Sequence, residues 1–207
     1  MGSRVMHAIV GYQLAKALSI KDKTSFLLGN IAPDAVSFHE EKNASHFMIG
    51  KAEDYSRRAD FTGFLHKYKS EVEKQNPYIL GYAAHLVTDD VWLLGFYQSW
   101  LKNRMEADEG LHELYHQDFR MLNGKLLEYY GLRETLVQAF NDFVPIMDLD
   151  EVPAKNVEKF VPYVIGDTDY DQDVLDKELQ VFTFQQIIGY LETSVDVAAF
   201  HLKRLVE

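Results

Sequence analysis

His85 and Asp89 stand four residues apart within YILGYAAHLVTDDVW, the segment from Tyr78 to Trp92. On a helix, residues i and i+4 lie on one face, so this pair offers an imidazole nitrogen and a carboxylate oxygen to a single point. Such a mixed donor pair suits zinc, and iron or manganese as well. The rest of the segment is apolar on nearly every side, and a buried charge is costly unless it is paired or bound to a metal. The competing reading is a histidine hydrogen-bonded to its own aspartate in a helical core, which satisfies both groups without a metal. Asp90 turns about 100° away from Asp89. It is expected either to support the site from behind or to pair with a neighbouring side chain.

Three further segments set a histidine or an aspartate in apolar or tightly turned surroundings: His7, Asp34 in GNIAPDA, and His46 in SHF. Asp34 follows Pro33, whose fixed φ holds the carboxylate in a defined direction, although an aspartate after a proline is also an ordinary turn residue. Taken alone, His7 reads as a core or surface histidine rather than a ligand, and His46 as a helix start or a packed residue. His39 competes with His46 but stands only five residues from Asp34. His112 and His116 in LHELYHQDF share another helical face. They are either a solvated polar surface or a contact for a second metal or a substrate phosphate.

These residues need a scaffold, and the pattern along the chain is helical. Apolar or small positions from Arg4 to Leu18 fall on one face, and a short helix from Thr24 ends at Pro33. The polar stretch from His39 to Asp54 reads as loop, at least in part. An amphipathic helix spans about Ala59 to Gln75. Asn76 and Pro77 are an N-cap and an N1 proline, starting a helix that reaches about Asn103. Another runs from about Gly110 to Tyr130 and stops at Gly131. LRETLVQAFNDF and PAKNVEKFVPYVIG add two more, the second bent or broken at Pro162. The last, Thr183 to about Leu205, opens with a Thr-x-x-Gln capping box. No convincing period-2 segment appears, so an all-α, single-domain protein without a sheet is expected.

Composition narrows the chemistry. The 207 residues are 47% hydrophobic, which excludes a disordered chain, and the net charge of −11 disfavours non-specific nucleic-acid binding. A small phosphate-containing substrate is still reachable if a local metal supplies positive charge. The absence of cysteine leaves His and carboxylates as the metal donors. No run of 18 apolar residues predicts a membrane anchor, and the apolar start is broken by His7, Gln13 and Lys16, so a cytoplasmic protein is expected. DTDYDQDVLDKE, Asp167 to Glu178, spaces its carboxylates almost like a calcium loop. Gln172 stands where the sharp turn requires Gly, so an acidic surface loop is the expectation.

The order His, Pro-Asp, Ser-His-Phe, Gly-Tyr-Ala-Ala-His-x-x-x-Asp resembles the zinc-dependent phospholipase C family, whose all-helical fold is shared with single-strand-specific zinc nucleases. GNIAPDA and LGYAAHLVTD carry the resemblance, which covers roughly the first half of the chain. It implies that Asp34, His46, His85 and Asp89 share one zinc, and that His7 and Asp89 face a second. It also implies a metal-activated water that attacks a phosphate ester, with Asp34 accepting its proton. The family's third ion takes a His six residues after the helical Asp and then a His-x-x-x-Glu. Here those places hold Gly95, His112 and His116. Nor does a Trp near the start supply the amine that family enzymes put on the second zinc. A metal-dependent hydrolase with a reduced site is therefore the leading expectation, beside a helical metal-binding protein with a structural or partner-binding role and no catalysis. No adjacent His-Asp pair exists to suggest the other common phosphohydrolase chemistry.

Overall fold

A computed structural model describes residues 2–206. Helix α1 (Arg4–Ala17) begins where the Ser3 hydroxyl accepts the Met6 N–H. Helix α2 (Lys23–Ile31) is capped by Asp22, whose carboxylate accepts the Ser25 N–H at 2.9 Å, and runs into a 3₁₀ turn at Ala32–Asp34. Helix α3 (His39–Ser45) follows, then strand β1 (Met48–Ile49) and strand β2 (Arg58–Ala59). After α4 (Phe61–Lys67) and α5 (Lys69–Glu73) comes α6 (Pro77–Trp92), capped by Asn76 with Pro77 in its first turn. A π-helical segment, Leu93–Leu101, carries α6 onward into α7 (Lys102–Ala107). Helix α8 (Leu111–Tyr130) stops at Gly131, which takes the left-handed φ of 62° that glycine adopts freely. Helices α9 (Arg133–Asn141), α10 (Ala154–Gly166) and α11 (Phe184–Val206) complete the chain.

The all-α expectation holds, with two local differences, the small sheet and a split helix. Met48↔Ala59 and Ile49↔Arg58 form a two-stranded antiparallel ladder where no sheet was expected. Strands of two residues are too short to carry a readable alternation. The stretch read as loop at least in part is so beyond its short α3 and β1, with turns and irregular backbone at 46–47 and 50–54. The helix expected over Ala59–Gln75 is split at Tyr68 into α4 and α5. Of the bend or break expected at Pro162, the break is absent: α10 runs continuously through it.

Helix α6 is the centre of the molecule. Every residue from Tyr78 to Asp90 is buried, as expected of a helix apolar on all sides. Its tightest partner is α2, and two glycines explain the approach. A Cβ on Gly81 would stand 1.9 Å from the Phe26 carbonyl oxygen, and one on Gly29 would stand 1.9 Å from that of Tyr78. Helices α1 and α11 cover the other sides of α6. The C-terminal segment is fixed by Asp118, fully buried on α8, whose carboxylate accepts the N–H groups of Gln180, Val181 and Phe182 at 2.8 to 3.1 Å. The Thr183 box forms as read: its hydroxyl accepts the Gln186 N–H, and the Gln186 side chain accepts the Thr183 N–H at 2.8 Å. Among the described residues no helix is long and apolar enough to cross a membrane.

Candidate metal centre

Four elements converge beside the middle of α6: α1 brings His7, the 3₁₀ turn brings Asp34, the end of α3 brings His46, and α6 brings His85 and Asp89. Tight packing of α2 on α6 sets the Asn30 carbonyl 2.7 Å from Nδ1 of His85. That contact takes the Nδ1 proton and leaves Nε2 of His85 as a lone-pair donor. His46 is turned in the same way, its Nδ1 lying 2.9 Å from the Lys42 carbonyl. Ser45 joins the two neighbouring segments, donating to the Pro33 carbonyl at 2.8 Å just before Asp34. Its own carbonyl accepts from the buried Tyr82 hydroxyl at 2.5 Å.

The forward nitrogens meet the carboxylates at closely similar separations. His7 Nε2 lies 3.3 Å from Asp89 Oδ1, and His85 Nε2 lies 3.5 Å from Asp89 Oδ2. His46 Nε2 is 3.4 Å from both Asp34 Oδ1 and Asp89 Oδ2. The edge of a tetrahedron of nitrogen and oxygen ligands about zinc is roughly 3.3 to 3.4 Å. Asp89 presents one oxygen to His7 and the other to His46 and His85. The donor atoms fall into two overlapping groups, each within 4.8 Å: His7, His85 and Asp89, and Asp34, His46 and His85. The His7 and His85 rings stack with centroids 3.8 Å apart.

The protonation states also suit a divalent cation. Burial, aided by neighbouring His7, pushes His85 below the ordinary histidine range. Burial by itself raises Asp34 and Asp89, but nearby positive charge, to which the imidazoles contribute, outweighs it and holds both well below the usual carboxylate range. A neutral His85 beside ionised carboxylates is in the form that binds metal. The donor set, its spacing and the backbone carbonyls behind two of the rings fit zinc.

The cluster opens on a cavity of about 960 Å³, with Asp34 and His46 in its floor and Trp92, Tyr97, Tyr115 and Phe119 in its walls. His112 and His116 also line it, exposed on α8 with their Nε2 atoms 3.3 Å apart. They are not part of either close donor group. Partial desolvation at the cavity surface, with His112 and Arg120 nearby, lowers His116 below its ordinary range.

Asp90 turns away from the cluster, as its position on the helix requires. It binds Arg58 through both oxygens, at 2.6 and 2.5 Å, and accepts the Ala59 N–H, so it ties the hairpin to α6. Gly95 is exposed, has open space around it and does not line the cavity. The side chain of His39 lies outside the described part of the structure. In the acidic stretch, Asp167 pairs with Arg4, Asp169 with Arg133 and Asp173 with Lys177. Those carboxylates serve three separate cations, and they contribute to neither close donor group. Residues that a motif search passes over are Asn30, Lys42 and Ser45. Two of them act through main-chain carbonyls, which no side-chain identity reveals. Only the serine beside His46 carries a readable signal.

A profile of the family described as zinc dependent phospholipase C matches residues 6–124, more than half of the chain. No curated protein and no solved structure matches. The matched span contains all five clustered residues, and family and cluster together make the chain a metal-dependent hydrolase. By this match the chain belongs to the zinc-dependent phospholipase C family.

Proposed function

We propose that the protein is a zinc-dependent phosphoesterase acting on a small phosphate ester. Asp34, His46, His85 and Asp89 would hold the principal ion, and His7, which also faces Asp89, would serve a second. The observation that carries this reading is the common 3.3 to 3.5 Å spacing of donors from four separate elements.

Bound there, zinc supplies a Lewis acid for a phosphoryl oxygen and lowers the pKa of water to about 7. The chain's residues provide everything around that chemistry. The carbonyls of Asn30 and Lys42 keep His85 and His46 in the donor tautomer and stop the rings rotating. Asp34 is the ligand carboxylate that lines the cavity, and so is the group placed to accept a proton from the attacking water. Trp92, Tyr115 and Phe119 give the cavity an apolar wall, which strengthens electrostatic contacts made inside it. His112 and His116 stand on the cavity surface where an ester oxygen can accept a hydrogen bond. A purely structural ion is normally closed off by four protein ligands. Four protein ligands are proposed here too, but two of them, Asp34 and His46, face a cavity large enough for a substrate, so the ion would not be sealed off, which favours catalysis over a binding-only role.

Elemental analysis of the purified protein beside His85→Ala tests the site. Near-stoichiometric zinc, or iron or manganese in its place, should be present in the wild type and lost from the variant. A screen of phosphomonoesters and phosphodiesters with added metal tests the activity. Absence of metal from the wild type, or its retention in His85→Ala, overturns the site; silence across the screen turns the reading to a binding protein.

A further inference from the structure

The chain is strongly acidic, with 32 Asp and Glu against 21 Lys and Arg. The cavity beside the cluster inverts that balance. Arg4 and Asp167 on its rim neutralise one another. Apart from that pair and Asp34, the charged residues lining it are Lys42, Arg57, Arg120 and a single carboxylate, Glu53. Among the described residues none of the three cations forms an ion pair. Arg57 is steadied by a neutral partner, donating to Asn43 Oδ1 at 2.5 Å, so it is oriented without losing its charge. Lys42 belongs to the turn of α3 whose carbonyl holds His46. Arg120 is close enough to His116 to help depress its basicity. Three cations from α3, the hairpin and α8 thus face one cavity whose floor carries Asp34 and His46 of the donor cluster.

An unpaired cation facing a cavity gains most from an anionic group on the ligand, because charge-assisted hydrogen bonds are the strong ones. A cationic head group would meet repulsion from all three. We infer that the cavity selects phosphate esters carrying a second anionic group beyond the reacting phosphoryl, and discriminates against esters whose second arm is cationic. This rests on the phosphoesterase reading and names its substrate class, with Lys42, Arg57 and Arg120 as the determinants.

The test uses the zinc-loaded protein and three phosphodiesters of p-nitrophenol whose second arm is ethyl, choline or 2-phosphoethyl. kcat/KM should rank 2-phosphoethyl above ethyl above choline, with about five- to tenfold between steps. The advantage should shrink at high ionic strength. Arg57→Gln and Arg120→Gln should each compress the ratio of 2-phosphoethyl to ethyl, chiefly through KM, with zinc content and thermal unfolding checking that the fold is kept. Calorimetric binding of 1,3-propanediphosphonate against propylphosphonate reads the same preference without turnover, again in wild type and both variants. Equal binding of the two phosphonates, a choline ester turned over as well as the 2-phosphoethyl ester, or ratios unmoved in both variants overturns the inference. If all three esters are inert while the diphosphonate is still preferred and the preference falls in the variants, the charge selection stands and the hydrolase reading fails.

Discussion

Nδ1 of His85 lies 2.7 Å from the main-chain carbonyl of Asn30, a contact between α6 and α2 that fixes which nitrogen of the imidazole faces the other donors. It depends on how closely the two helices approach. At Gly81 a Cβ would sit 1.9 Å from the Phe26 carbonyl oxygen and 3.0 Å from the Asn30 nitrogen. Backbone cannot yield as a flexible side chain does, so the helices would have to separate.

Gly81→Ala is therefore expected to act on stability and metal together. Overpacking between two core helices costs about 1 to 3 kcal/mol or more. The displaced carbonyl would also free the His85 ring, and loss of such an orienting partner weakens metal affinity by about 10- to 100-fold. Urea unfolding and zinc titration of the same sample check both. A variant that is destabilised but binds zinc as the wild type does would show that the carbonyl is not needed for the donor orientation.

Removing the metal should expose a pH dependence with a defined sign. In the chelated protein His85 stays below its ordinary range, so the unfolded chain takes up its proton first as pH falls. That stability is complete above the unfolded value of about 6.5 and is lost as pH falls through the folded value. Asp34 and Asp89, also depressed, add losses of the same sign further into acid. The midpoint temperature of the metal-free protein should fall steadily on acidification from pH 7.5 to 5, and His85→Gln should flatten the upper part of that decline. Adding zinc at about a thousand times its dissociation constant should restore about 4 kcal/mol.

Much of this centre is legible in the sequence, and the illegible part has a physical reason. His85 and Asp89 announce themselves because helical spacing turns sequence distance into direction. Asp34 does so because Pro33 restricts the turn. The caps at Asn76, Gly131 and Thr183 are local chemistry and appear where they were read. The hairpin is hidden because its strands are two residues long and its anchor to α6, Arg58 on Asp90, spans 32 positions. Asp118 looks like a surface residue of α8, and only the returning chain at residues 180–182 shows why it is buried. The orienting roles of Asn30 and Lys42 belong to carbonyl groups that every residue carries.

The π-helical segment bears on the missing third-ion ligand. Wider turns after Leu93 rotate the residues that follow, and Leu93, Tyr97 and Leu101 line the cavity while Gly95 does not. Restoring histidine with Gly95→His is therefore expected to leave zinc stoichiometry unchanged. Since Gly95 is exposed with open space around it, stability should also change by less than about 1 kcal/mol. An extra equivalent of bound zinc would mean that the segment can return to α-helical register and bring position 95 into the cavity.

Asp89 and Asp90 give the sharpest contrast, because adjacent residues of one type face opposite tasks. Asp89→Asn keeps the shape of the side chain but removes the charge shared by His7, His46 and His85. It should lose most of the bound metal and the metal-dependent activity. Asp90→Asn leaves the donor cluster intact and weakens the link to Arg58 and Ala59. The Arg58 side chain is 46% exposed, so solvent screens the pair and the stability cost should be about 1 kcal/mol. Zinc should remain near the wild-type level, with faster proteolysis in the segment between β1 and β2 as the hairpin loosens. Measuring zinc, turnover and limited proteolysis on both variants separates the two roles. If Asp90→Asn lost metal as completely as Asp89→Asn, the hairpin anchor would have to be counted among the determinants of the site.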